Sequence, residues 1–364
     1  MSGPAAGIAA DGNVALRLDA GTPGQSTVSR PQRPELVCPA GSLPALKAAV
    51  DHGADCVYIG LRDATNARNF AGLNFDEAAV REGLRHAHAA GARLLLAINT
   101  YPQPGNVDRW RHAVDLAADL GVDAVILADA GLMHYSAHRH PALRLHLSVQ
   151  ASATSYEAIN FYHRRFGIRR AVLPRVLSLS QVENVVRHAE TEIEVFGFGS
   201  LCVMVEGRCA LSSYAAGDSP NTRGVCSPPK AVRWEQGAES LDVRLNGMLL
   251  DRFAQGETAG YPTLCKGRFT VNGETYYAIE EPSSLNAAAL LPDLMRIGIA
   301  AIKIEGRQRS PAYVAQVTQV WREAIDECAR NPSRFSVRPG WTSALDRVAE
   351  GQQHTLGAYH RRWK

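Results

Sequence analysis

From Glu35 onward, short apolar or β-branched runs alternate with amphipathic stretches of helical period. This alternation limits the available folds more than any single motif does. Parallel strands need long crossovers, and helices supply them. The pattern predicts strands at 35–39, 56–60, 93–99, 124–128, 144–149, 171–174, 193–198 and 301–305. Helical patterns lie between them, for example at 43–52, 76–90, 107–120, 155–166, 179–188 and 311–328. Eight such units predict an α/β chain with a (β/α)8, TIM-barrel-like domain. A doubly wound open sheet shares the alternation, because strand count alone does not prove closure.

Between the seventh and eighth strands the rhythm breaks, over about 199–300. Turn signals accumulate there (Gly217-Asp218, Ser219-Pro220, Gly260-Tyr261-Pro262), and 268–279 reads as a hairpin around Asn272-Gly273. An insertion leaving the C-terminal end of a barrel strand sits where barrel active sites are built. The expected organisation is a disordered extension at 1–34, rich in Gly, Ala, Ser, Pro and Thr, then a barrel catalytic domain at 35–332 carrying this insertion. A polar and aromatic C-terminal tail, 333–364, is expected to pack on the barrel.

Composition narrows the class. Hydrophobic residues at 46% and charged residues at 21% suit a soluble globular core, and a formal charge of +3 does not argue for a nucleic-acid partner. With no basic segment leading an apolar run and no run of about 18 apolar residues, a cytoplasmic protein is expected. In a reducing compartment, grouped cysteines read as metal or redox sites before disulfides. The sequence has neither HExxH nor GxSxG, which speaks against a zinc protease or a serine hydrolase.

All four cysteines of the insertion lie in loop-like contexts. Cys202, Cys209, Cys226 and Cys265 are separated by six, sixteen and thirty-eight residues. Soft thiolates converging from loops suit an iron–sulfur cluster or a structural zinc. Zinc sites usually contain close cysteine pairs, and none occurs here, so spacing favours iron–sulfur and leaves zinc open, with four unrelated thiols as the plainer alternative. Cys38, Cys56 and Cys328 fall among apolar neighbours and read as packing residues.

Strand-end residues would face the barrel mouth. They are Asn99, Asp129, Gln150, Arg175, Lys303 and Glu305, with Arg307 and Arg309 just beyond. Arginine forks there favour carboxylate or phosphate ligands, while salt bridges closing the mouth explain the same residues. The segment Thr65-Asn66-Ala67-Arg68-Asn69-Phe70-Ala71-Gly72 follows strand two and reads as a mobile lid. His146 and His163 read as structural or surface groups.

Several segments resemble the collagenase-like "peptidase" family: 35–50, 54–60, 198–204 and Lys303-Ile304-Glu305-Gly306-Arg307. The segments 66–75, 148–153, 219–222, 260–267 and 355–360 are similar to its ubiquinone-biosynthesis, UbiU-type branch. The resemblance implies a 4Fe-4S cluster on Cys202, Cys209, Cys226 and Cys265. It implies a heterodimer with a UbiV-like subunit and work with a UbiT-like lipid-binding accessory protein. The implied reaction is oxygen-independent hydroxylation of a polyprenyl-phenol quinone precursor, with prephenate as oxygen source. Sister members hydroxylate tRNA or ribosomal RNA, but little excess charge and no appended basic domain point away from RNA. Prephenate is a dicarboxylate, so the expected substrate site is Arg68, Asn99, Gln150, Arg175, Lys303, Glu305 and Arg307.

Overall fold

Eight parallel strands close on themselves in the computed structural model, which describes residues 33–204, 209–220 and 225–360. In chain order, strands and following helices are β1 (Glu35–Pro39), α1 (Leu43–Asp51), β2 (Cys56–Gly60), α2 (Glu77–Ala89), β3 (Arg93–Ile98) and α3 (Asp108–Leu120). They continue with β4 (Ala124–Leu127), α4 (Ala130–Arg139), β5 (Leu145–Leu147), α5 (Tyr156–Phe166), β6 (Arg170–Val172), α6 (Leu179–His188) and β7 (Glu192–Ser200). The insertion holds α7 (Ala210–Ala216), β8 (Val232–Gln236), β9 (Ser240–Leu245), β10 (Met248–Ala254), β11 (Phe269–Val271), β12 (Glu274–Tyr276) and β13 (Ser284–Asn286). Last come α8 (Leu291–Ile297), β14 (Ala301–Ile304), α9 (Pro311–Arg330), α10 (Pro339–Asp346) and β15 (His354–Thr355).

Closure rests on β14, which pairs in parallel with β1 on one side and β7 on the other. The open doubly wound sheet is thereby excluded. Strands buried on both faces read as apolar runs, and the two faces separate cleanly. Leu94, Leu96 and Ile98 point out beneath the helices, whereas Leu95 and Ala97 point in with Val37, Cys56, Tyr58 and Ile126. Side-chain oxygens of Ser42, Asp76, Asp129, Ser155, Ser178 and Ser310 cap helix N-termini, satisfying otherwise orphaned amides. Asp129 is therefore a cap and not a mouth residue. β5 stops short of the expected strand because Ser148 accepts a hydrogen bond from the Gln150 amide and turns 149–151 into a single 3₁₀ turn.

A charged layer floors the barrel. Arg170, 2% exposed, pairs with Glu35 at 2.8 Å, Glu192 at 2.7 Å and Glu194 at 3.4 Å. His146 is buried in this layer and accepts from Arg144 Nε at 3.1 Å.

In the insertion, β8, β9 and β10 form an antiparallel sheet. β11 and β12 form the expected hairpin, with left-handed Asn272 and Gly273 at its turn. β13 pairs antiparallel with the end of β7 and parallel with β15 of the tail. Tail contacts continue where Trp341 Nε1 donates to Glu323 at 2.9 Å and Tyr359 donates to the Phe196 carbonyl at 2.8 Å. Of the 1–34 extension, residues 1–32 lie outside the described residues. Arg33 bridges Asp55 and Asp326, each at 3.0 Å. Among the described residues, no helix is long and apolar enough to cross a membrane.

Candidate functional site

The C-terminal ends of the barrel strands enclose a small pocket of about 60 Å³. Arg68, Asn99, Gln150, Arg175, Lys303, Glu305 and Arg307 all line it, together with Tyr58, Ser148 and Phe196. Their environments differ. Lys303 lies at the floor, buried, with Nζ 2.8 Å from Glu194 and 3.8 Å from the centre of the Tyr58 ring. Burial pushes the ammonium down from its usual range while Glu194 pulls it back up. Its charge is already neutralised, so Lys303 is a weaker anchor for an anion than the sequence suggested.

Arg307 is the cation a ligand would meet. It is buried, donates from Nη1 to Asn66 Oδ1 at 2.7 Å, and has no carboxylate partner among the described residues. Burial pushes it down to about 10, against the upward pull of Tyr58. A buried guanidinium without a counter-ion gains most from an incoming carboxylate. Its loop is pinned: a Cβ on Gly41 would stand 1.8 Å from the Arg307 carbonyl oxygen, so only glycine fits there. Arg175 stacks over Phe196 at 4.4 Å and donates to the Ser200 carbonyl. Glu305 accepts from the Ser200 amide at 3.2 Å. Arg309 is exposed, lies over the Tyr313 ring and faces the neighbouring cavity instead of this pocket.

The lid is not the loose glycine-rich loop its composition suggested. Asn66, fully buried, donates to the Leu61 carbonyl at 3.0 Å and to Asn74 Oδ1 at 2.9 Å. Asn99 Oδ1 accepts from the Ala67 amide at 3.1 Å, so its work is to hold the lid. Three side-chain amides, of Asn66, Asn74 and Asn99, thus tie the lid down, and Asn74 Nδ2 donates to the Arg68 carbonyl at 2.8 Å.

A second cavity, of about 260 Å³, adjoins the first and shares Arg68, Gln150, Arg175 and Glu305 with it. Cys202, Cys209, Cys226 and Cys265 all line it. Cys202 follows β7, and Cys209 caps α7 through the Ser212 amide at 3.5 Å. Cys265 sits in the turn Leu264–Lys266. Burial pushes Cys265 up to about 11, with Lys266 opposing, and raises Cys226, with Arg68 opposing. Bound metal would displace these thiol protons. Among the described residues, no three His, Cys, Asp or Glu side chains converge closely enough to hold one metal ion. Four thiols around one cavity are a donor set that an iron–sulfur cluster or a zinc ion could draw together. Cys38, Cys56 and Cys328 are buried elsewhere; Cys38 accepts from Thr318 Oγ1 at 3.2 Å.

Sequence reading missed Tyr58 and Glu194, although period-two alternation turns both inward. It also missed the buried pair of Lys266 and Glu350, 2.5 Å apart, for which no local signal exists.

The chain is 31% identical to tRNA hydroxylation protein P of Escherichia coli, over 88% of this chain and 73% of that protein. It is 30% identical to tRNA hydroxylation protein P1 of Bacillus subtilis, over 87% and 69%. A collagenase of Porphyromonas gingivalis is 29% identical, over 80% and 65%. The pattern of peptidase family U32 matches residues 41–362, and the chain belongs to that family.

Proposed function

We propose that this chain is the iron–sulfur subunit of an oxygen-independent hydroxylase in ubiquinone biosynthesis. It would act as a heterodimer with a UbiV-like subunit, aided by a UbiT-like lipid-binding accessory protein, with prephenate as oxygen donor. One observation carries the reading: the cavity lined by four cysteines adjoins a cationic barrel mouth and shares Arg68, Gln150, Arg175 and Glu305 with it. The ubiquinone branch is supported by the resemblance over 66–75, 148–153, 219–222, 260–267 and 355–360.

In this reading Cys202, Cys209, Cys226 and Cys265 hold a 4Fe-4S cluster, which supplies one-electron chemistry next to the bound reactants. Arg307, Arg68 and Arg175 bind and orient carboxylate, and Tyr58 and Phe196 give the ring of a ligand apolar walls. Leu201, Val203, Met204 and Val225 line the cysteine cavity and would give a phenolic ring an apolar wall.

A second reading, hydroxylation of tRNA, is favoured by the names of the Escherichia coli and Bacillus subtilis relatives. A peptidase is less well supported, because the mouth offers neither an HExxH nor a GxSxG nucleophile. Deleting the gene and growing the cells without oxygen separates the readings. Loss of ubiquinone with accumulation of an under-hydroxylated precursor, restored by the wild-type gene and not by Cys226→Ala, is expected. Normal ubiquinone with loss of a hydroxylated tRNA nucleoside would move the assignment to RNA.

A further inference from the structure

Gln150 stands at the neck shared by the two cavities, and it is the one side chain there that is both nearly fully buried and unsatisfied. It is 5% exposed, and its Oε1 has no hydrogen-bond partner among the described residues. A buried amide left unpaired costs about 1–3 kcal/mol, so such a group calls for a reason.

The backbone beneath it is held from every side. The Gln150 amide donates to Ser148 Oγ at 3.2 Å, and Tyr101 donates to its carbonyl at 2.9 Å. The Ala151 amide donates to the Ser148 carbonyl at 2.9 Å, and Ser152 closes the turn in the left-handed region at φ 59°. A turn this constrained fixes the direction in which the Gln150 side chain leaves the backbone, toward the neck. Around it stand cations: Arg68 and Arg175 at the neck and Arg307 deeper in the mouth. Those groups read negative charge. None of them rejects a carboxylate that lacks a particular neutral substituent.

We propose that Gln150 is a specificity residue: its amide hydrogen-bonds a neutral hydroxyl carried by a carboxylate ligand, at the point where the mouth meets the cysteine cavity. The inference rests on reading the mouth as a carboxylate site, and it adds the residue that separates hydroxy acids from their deoxy counterparts. A site built to bond a hydroxyl penalises the analogue without it, because its own buried polar group then stays unpaired.

The test uses the full chain with its cluster, handled anaerobically, and phenylacetate, 3-hydroxyphenylacetate and 4-hydroxyphenylacetate as probes in calorimetric titration. In wild type, at least one hydroxy acid should bind about 5- to 10-fold tighter than phenylacetate, the worth of one neutral hydrogen bond. Gln150→Met, close in length and volume but without the amide, should bring that ratio to within about twofold of unity. Arg307→Ala should weaken all three acids together and leave the ratio standing. A ratio of affinities within one protein does not change when part of the sample is unfolded, so a merely structural role would not move it. If Gln150→Met does not fold, Gln150→Asn, which withdraws the amide by one methylene, reads the same ratio. Equal binding of all three acids to wild type, or a preference that survives in the variant, overturns the assignment of Gln150 while leaving the carboxylate site intact. Failure of wild type to bind any of the acids overturns the carboxylate reading itself, and this inference with it.

Discussion

Removing the Glu350 carboxylate should be among the most damaging single changes available outside the mouth. Lys266 and Glu350 have side chains only 2% and 5% exposed and lie 2.5 Å apart. Ser200 Oγ donates to the same carboxylate at 3.1 Å, and the Glu350 amide donates to Ser284 Oγ at 2.8 Å. The pair therefore joins the end of β7, the turn that carries Cys265 and the C-terminal tail. In Glu350→Leu the buried Lys266 ammonium keeps, among the described residues, only the Ser200 hydroxyl at 3.4 Å. Breaking a buried pair from one side costs about 3–5 kcal/mol, because an uncompensated charge is left behind. With a urea slope of about 3 kcal/mol per molar, the unfolding midpoint should fall by roughly 1–1.7 M. The double variant Lys266→Met/Glu350→Leu removes both charges and should recover most of the loss, since apolar replacements of buried pairs are often neutral. Urea unfolding followed by circular dichroism under argon measures all three proteins. A single variant within about 0.5 kcal/mol of wild type, or a double variant worse than the single, would refute the reasoning.

Three further predictions concern the barrel. Burial, with Arg170 and Arg144 nearby, holds His146 neutral and its pKa well below 6.5. Below pH 6.5 the unfolded chain takes up a proton that the native state refuses, so this contribution is present above pH 6.5 and is lost as pH falls. Denaturation at pH 5 and pH 7 should show a loss in wild type approaching about 1.4 kcal/mol per pH unit from this group, absent in His146→Gln. Glu35 and Glu192 are pushed up by burial but pulled further down by Arg170, with Arg93 and Arg144 assisting, and end below 4.5. Their stabilisation is present above pH 4.5 and disappears as pH falls through the lowered values; Arg170→Met should unfold at a measurably higher pH in an acid titration. Arg307→Ala should raise the prephenate concentration needed for half-maximal activity by at least about tenfold, the worth of a charge-assisted hydrogen bond, and unchanged dependence would remove Arg307 from the site.

Much of the barrel could be read from the chain because strands buried on both faces leave continuous apolar runs such as Leu94–Ile98. Closure could not, since β7 and β14 meet across a hundred residues with no local signal linking them. The Asn272-Gly273 turn was legible from its residues, and Asn246-Gly247, the same signal, marks the β9–β10 turn that the reading passed over. At the mouth, the strand-end rule picks out side chains that line the pocket, because their position follows from backbone direction alone. Their partners do not follow from it. Glu194 neutralises Lys303 from another strand, Asn99 serves the lid amide of Ala67, and Asn66 holds Arg307 from 241 residues away. Composition misjudged the lid for a related reason: its small and polar residues are visible in sequence, but the buried amides of Asn66 and Asn74 that tie it down are tertiary contacts.

The central claim is the cluster, and an anaerobic count of iron, acid-labile sulfide and zinc per chain, with an absorption spectrum, tests it most directly. Wild type should carry about four irons and four sulfides and show a broad absorption band near ~400 nm, with both reduced in Cys226→Ala. Stoichiometric zinc without sulfide, persisting after anaerobic reconstitution, would contradict the account.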